Sequence, residues 1–231
     1  RGGGNGDYNV IVLAPNSVQE MADFVDLAFE LAFKYRNPVM ILSDGVIGQM
    51  MEKVVLPPFK PRRTEEEVRK ECPWATMGRT KDREPNILTS LELKPEVMEL
   101  RNIHLQEKYQ TIRDNEVRYE AQQCDDADYI IVSFGSAARI GEKAVELARA
   151  EGIKVGLFRP ITLWPFPSKE IAAAAKGKKG ILVSEINAGQ MIQDVKLAVN
   201  GALPVEHFGR LGGIVPDPEE IVNVLKDKLM R

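Results

Sequence analysis

Cysteine and histidine are scarce in this sequence. Its 231 residues hold two cysteines, Cys72 and Cys124, and two histidines, His104 and His207. The cysteines stand 52 positions apart and no CxxC occurs. The chain by itself therefore offers no zinc or iron–sulfur centre of the usual spacing, and no disulfide framework. No GxSxG occurs either, so neither histidine reads as part of a Ser-His-Asp arrangement. A basic excess is also missing. Lys and Arg number 31 against 34 Asp and Glu, for a net charge of -3 and a pI near 5.6. That leaves no electrostatic footprint for nucleic acid. Long apolar runs are missing too. The longest, such as Val10 to Pro15, are of strand length, far short of the roughly 18 to 20 residues of a membrane helix. No secretion signal is read, and the cytoplasm is the expected compartment.

What is present is ordinary globular material, 44% hydrophobic and 28% charged. The length suits one large or two small domains with a real core. The chain opens on Arg1-Gly2-Gly3-Gly4-Asn5-Gly6-Asp7 and not on Met. A glycine-rich loop normally sits between elements, so a preceding segment is expected, the alternative being a flexible remnant of cloning.

The first part reads strand, helix, strand. Asn9 to Pro15 is a short apolar run, and Ser17 with Glu20 reads as a capping box. Met21, Phe24, Ala28, Leu31 and Tyr35 recur at helical spacing, and Asn37-Pro38 ends that helix. Val39 to Leu42 is a second apolar strand, followed by Ser43-Asp44-Gly45 and a short helix near Val46 to Met51. Apolar strands in this order imply a parallel sheet covered on both faces. The middle is proline-broken and charged, and helical from Pro95 to about Gln123 with a broken apolar stripe. It reads as a connecting arm. The last part carries four strands: Tyr129 to Phe134, Lys154 to Phe158, Ile181 to Ser184 and Val205 to Phe208. Arg159 to Pro167 reads as a rigid turn, Ser168 as the cap of a short helix, and Asp217-Pro218-Glu219-Glu220 as the start of the final one.

Candidate chemistry is sparse. Phe134-Gly135-Ser136 is a strand-to-helix turn whose backbone N–H groups suit an anion, but it lacks a GxGxxG or P-loop pattern and reads better as a plain turn. Ser184-Glu185-Ile186-Asn187 is a similar strand end. Both lie at the presumed carboxyl edge, where such folds place function or meet another subunit. Asp44 reads as a helix cap before a ligand contact. The opening glycines permit close backbone approach, unless they form a loose terminus. The residues support a piece of an assembly better than a self-contained active site.

Three stretches are more specific than their physics: Gly2 to Met21, Tyr35 to Glu52 and Gly156 to Pro167. Together with Leu105 to Tyr109 and Gly212-Gly213, they resemble the alpha-type subunit of 2-oxoacid:ferredoxin oxidoreductases. The 2-oxoisovalerate branch is most similar and the 2-oxoglutarate branch next. The resemblance implies an α/β fold. Residues 1–57 would be the C-terminal part of a pyrimidine-binding domain, 58–124 a charged linker and helical arm, and 125–231 a transketolase C-terminal-like domain with a parallel sheet. It also implies oxidative decarboxylation of a 2-oxoacid to an acyl-CoA, with electrons passed to ferredoxin. Thiamine diphosphate with magnesium and iron–sulfur clusters would serve the whole complex. They would be held mostly by a preceding segment, a beta-type thiamine-binding subunit and an iron–sulfur subunit. No catalytic residue carries over. Gly2, Gly3, Gly4, Asp7 and Asp44 are cleft-lining or interface candidates, and the isolated chain is expected to be inactive and to form a homo- or hetero-oligomer. Two other readings compete: a non-catalytic assembly module of the same fold, and a nucleotide-binding protein needing a phosphate loop at Gly135-Ser136.

Overall fold

The computed structural model describes residues 4, 6–76, 78, 81 and 83–230. The chain divides into two units. One comprises residues 1–55 and 105–231, the other residues 56–104.

The first unit holds two sheets. In the larger, β3 (Tyr119–Gln122), β5 (Val155–Pro160), β4 (Tyr129–Val132), β7 (Gly180–Glu185) and β8 (Val205–Gly209) lie in the order β3-β5-β4-β7-β8. The four strands read from the apolar runs are parallel, while β3 is antiparallel to β5. Every residue of β4, β5 and β7 is buried, as expected of strands covered on both faces. One face packs Ile130, Val132, Ile181 and Val183 under α6 (Ser168–Ala174) and α7 (Met191–Val199). The other packs Ile131, Leu157 and Leu182 under α5 (Gly135–Ala150) and α8 (Pro218–Leu229). Burying each such aliphatic side chain contributes about 1.5–3 kcal/mol.

The smaller sheet has the order β2-β1-β6, from β1 (Ile11–Leu13), β2 (Val39–Ile41) and β6 (Thr162–Trp164). β1 and β2 are parallel and β6 is antiparallel to β1. Helix α1 (Val18–Tyr35) and the C-terminal half of α4 (Pro95–Asn115) close a third core around Ile11, Leu31, Tyr109, Ile112 and Trp164. Tyr109 meets Trp164 edge-on with ring centroids 5.7 Å apart.

Several expectations are corrected. The arm helix ends at Asn115 and not near Gln123, because Tyr119–Gln122 leaves it to pair with β5. Arg159 to Pro167 is not merely a turn. It carries the end of β5, a single link residue, Ile161, and then β6. The chain thus steps from one sheet to the other, and Ile161 accepts the Ala14 N–H at 2.7 Å. Ser168 is the first residue of α6 and makes no side-chain cap. The final helix starts as read, with Asp217 and Glu220 forming a capping box and Pro at the N-terminus.

In the second unit, α3 (Glu65–Glu71) begins with a capping box from Thr64 and Glu67. Arg83 and Asn86 tie the loop after it by donating to the carbonyls of Pro73, Ala75 and Gly78. No helix among the described residues is long and apolar enough to cross a membrane.

Candidate functional site

The strand ends Val132, Glu185 and Gly209 mark the carboxyl edge of the larger sheet, and the segment after β2 meets this edge through Asp44. Asp44 leaves β2 and caps α2 (Gly45–Gln49), where its Oδ1 accepts the N–H groups of Val46 and Ile47, both at 3.0 Å. Its other oxygen, Oδ2, accepts the Ser136 N–H at 2.9 Å. The first turn of α5, which has no side-chain cap of its own, is therefore satisfied by a carboxylate 92 positions away. Gly135 has φ +62°, and a Cβ there would lie 2.9 Å from Asp44 Oδ2. Only glycine suits both that conformation and that approach. The cap read at Asp44 is present, and so is the anion at Gly135-Ser136. The anion is the chain's own.

The same solution recurs at α7. Glu185 is 1% exposed. Its Oε2 accepts the N–H of Met191 at 2.8 Å and of Gln190 at 3.3 Å, and Oε1 accepts that of Ile192 at 3.1 Å. His207, in β8, places Nε2 3.6 Å from Glu185 Oε1. A Cβ at Gly209 would press into the His207 ring and the Asn187 carbonyl, so the backbone packs that closely only without one. The spacing of the sequence marked Glu185 only as a strand end. Its role as a buried cap carried no local signal, because the N–H donors it serves lie five to seven residues on, across a loop.

Ion pairs bind the two sheets together. Arg159 is 1% exposed and meets Glu20 of α1 in a two-pronged pair, at 2.8 and 2.7 Å, and Glu120 of β3 at 3.0 Å. Burial opposes the charge on Arg159, but the two carboxylates outweigh it and raise its pKa. Ser17 caps α1 as read, accepting the Glu20 N–H, but Glu20 turns its carboxylate to Arg159 and to the N–H of Asn16. The expected box is half made because a buried guanidinium claims the other half. Glu52 accepts the Val18 N–H at 3.1 Å and Arg139 at 2.7 Å, the backbone contact first and the arginine second lowering its pKa.

Between the sheets lies a small cleft of about 200 Å³, lined by Val12, Leu163, Phe134, Met191 and Asp194 among others. Its wall is mainly apolar. No group of three or more His, Cys, Asp or Glu among the described residues is placed to hold a metal. Both free cysteines are buried, and burial pushes the Cys124 thiol up and keeps it inert. The described residues thus do not fit magnesium diphosphate or an iron–sulfur cluster. The two helix N-termini that would take a phosphate already hold carboxylates.

Of the remaining candidates, Gly2 and Gly3 lie outside the described residues. Gly4 is exposed. Asp7 is exposed, and its carbonyl accepts Gln106 of α4 at 3.0 Å. His104 sits exposed on α4.

Two family models match this architecture. One, described as pyruvate flavodoxin/ferredoxin oxidoreductase, thiamine diP-bdg, covers residues 3–121. The other, pyruvate:ferredoxin oxidoreductase core domain II, covers residues 127–221. The chain is 45% identical over 227 residues to ketoisovalerate oxidoreductase subunit VorB of Methanothermobacter marburgensis, covering 98% of this chain and 62% of that protein. It is 35% identical over 246 residues to 2-oxoglutarate synthase subunit KorA of the same organism, covering 96% and 65%. In fold it is similar to the 2-oxoglutarate:ferredoxin oxidoreductase from Magnetococcus marinus, solved with 2-oxoglutarate, coenzyme A and succinyl-CoA bound. The TM-score is 0.73 at 24% identity, over 98% of this chain and 43% of that one. The chain spans about three-fifths of the length of the curated relatives it matches.

Proposed function

From a chain that belongs to the thiamine-dependent 2-oxoacid:ferredoxin oxidoreductase family, we propose a subunit that works on 2-oxoisovalerate. The reaction removes CO2 from the 2-oxoacid, joins the acyl group to coenzyme A and passes two electrons to ferredoxin. The observation that carries the substrate is the 45% identity to the ketoisovalerate relative, against 35% to the 2-oxoglutarate relative, both over nearly the whole chain. Thiamine diphosphate supplies the carbanion chemistry when bound in the assembled enzyme.

This chain's own part is to position and pack. The division proposed is a pyrimidine-side domain over 1–57, a charged arm over 58–124 and an assembly domain over 125–231. The interval between the matched segments, 121 to 127, supports the second boundary. Asp44 acts as a latch between the first and last of these. Asp7 and Gly4, both exposed, are the cleft-lining or interface candidates among the described residues. Partners are a beta-type thiamine-binding subunit and an iron–sulfur subunit, with ferredoxin and coenzyme A at the level of the complex. Alone, the chain does not turn over in this reading, because the diphosphate and the clusters belong to the partner subunits and the preceding segment.

The test exchanges the matching stretch of the Methanothermobacter ketoisovalerate subunit for this chain and assembles it with that enzyme's other subunits. Viologen reduction should be faster with 2-oxoisovalerate than with 2-oxoglutarate, and absent for the chain alone. A hybrid that assembles by light scattering but prefers 2-oxoglutarate overturns the substrate. One that assembles and accepts no 2-oxoacid overturns the reaction and leaves the assembly-module reading.

A further inference from the structure

An open cavity of about 550 Å³ lies where β3 and β5 meet α6. That volume is within the range of about 300–1,000 Å³ typical of small-molecule sites. We propose that it binds an adenine nucleotide. The inference rests on the walls of this cavity and not on the proposed reaction.

One wall is an aromatic platform. Tyr119 stacks on Phe158 with ring centroids 5.0 Å apart and planes 5° from parallel. Phe158 is 1% exposed and fixes the pair, while Tyr119 is 43% exposed. A flat ring held rigid beneath and open above is what a purine stacks on. The floor leaves room for a flat ring because Ala121, Ala173 and Ala174 contribute only methyl groups. Cationic groups stand at both ends of α6: Lys169 in its first turn, Lys176 and Lys178 beyond its last. Lys178 is pre-positioned, since its Nζ donates to the carbonyls of Cys124 at 2.6 Å and Asp125 at 3.1 Å. A phosphate among these lysines gains charge-assisted hydrogen bonds.

Two carboxylates, Asp125 and Glu170, also line the cavity. They would repel a bare anion. Each stands beside a lysine, Glu170 next to Lys169 in the chain and Asp125 where Lys178 meets its carbonyl, and they suit a ligand with an amino group as well as a phosphate, such as adenine with its exocyclic amine. The combination of platform, acceptors and lysines selects an aminopurine phosphate over inorganic phosphate or a pyrimidine without an amine.

Isothermal titration of the chain with AMP, UMP and inorganic phosphate tests this. AMP should bind at least about tenfold tighter than either of the others, a difference of about 1.4 kcal/mol, and should raise the melting temperature. Tyr119→Leu keeps an apolar cover on Phe158, so it should melt like the parent and lose about tenfold in AMP affinity. Lys169→Gln with Lys176→Gln should lose a similar factor and flatten the salt dependence. Lys226→Gln, on α8, should change nothing. AMP no tighter than phosphate, or unchanged by Tyr119→Leu, overturns the proposal and leaves a non-specific cationic surface. No heat of binding with any of the three overturns it outright.

Discussion

The two sheets of the first unit are built from similar apolar strands but end in different states. β7 (Gly180–Glu185) is buried along its whole length, while β2 (Val39–Ile41) is nowhere fully buried and leaves Met40 45% exposed. On the flank of β2, Val25, Phe29 and Phe33 of α1 are also open, at 47%, 63% and 45%. The larger sheet is held by its own double-sided core. The smaller one is held at its edges, by Arg159, Asp44 and Glu116, each a charged group reaching across from another element. The lesson is that identical strand chemistry gives self-sufficient or borrowed stability, according to how many faces are covered.

The largest test of that contrast is Arg159→Ala. It removes the partner of Glu20 and Glu120, whose side chains are 21% and 44% exposed, so the loss falls to about 3 kcal/mol, the low end for a broken buried pair. Urea denaturation at neutral pH should show it. Hydrogen exchange should show lost protection at Ile11–Leu13 well before Ile130 and Ile131. Equal loss in both sheets would mean that the smaller sheet does not depend on this pair. Next in size is Glu185→Ala, which leaves the Met191 and Ile192 N–H groups at the α7 start unpaired, while that of Gln190 keeps Asn187 Oδ1, and should cost about 2 kcal/mol. Its exchange signature belongs to α7 and the larger sheet alone. Protection lost in β1 instead would erase the distinction between the two regions.

The same contrast explains what the sequence could and could not reveal. Strands buried on two faces write a continuous apolar run, so Tyr129–Val132 and Ile181 to Ser184 were legible from composition. Tyr119–Gln122 was not. An edge strand facing water on one side carries Glu and Gln, and Tyr-Glu-Ala-Gln reads as well for a helix. Thr162–Trp164 was hidden between prolines, which spoke for a turn. Local caps were legible at Ser17, Asp44 and Asp217, because a cap and its donors lie within three residues. The second hydrogen bonds of Asp44 and Glu20 were not, since their partners Ser136 and Arg159 stand 92 and 139 positions on. Family resemblance located the chain as a component, but the occupation of both helix N-termini by its own carboxylates required the fold.

Asp44→Ala probes the borrowed stability from the other side. It removes one acceptor serving α2 and α5 together. Loss of an N-cap costs about 0.5–2 kcal/mol, and the added donor at Ser136 places this site toward about 2. Asp44→Asn keeps an acceptor for α2 and should recover part of the loss. A second route to the same contact is Gly135→Ala, which strains a left-handed residue and crowds Asp44 Oδ2. The two changes should be less than additive, because they break one contact. Strict additivity of the melting shifts would show that Asp44 and Gly135 act separately.

The smallest effect, and the one with a distinct pH signature, concerns Glu116. Its side chain is 4% exposed and lies just after α4. It accepts Lys34 Nζ at 2.7 Å, Tyr35 OH at 2.6 Å and Arg118 at 3.1 Å, fastening the end of α1. Burial alone would raise its pKa, but the hydrogen bonds from Lys34 and Tyr35 outweigh that and lower it. In the unfolded chain a glutamate titrates near about 4.3. As pH falls through that value the unfolded state takes up a proton that the folded state still refuses. Stability contributed by this carboxylate is therefore complete above that range and is lost progressively below it. Glu116→Gln should cost about 1 kcal/mol at neutral pH and shrink toward no difference under acid conditions. The acid limb of the melting curve should be shallower in the variant than in the parent. Parallel limbs would mean that Glu116 is held by packing and not by its charge, and that the smaller sheet borrows less from electrostatics than its ion pairs imply.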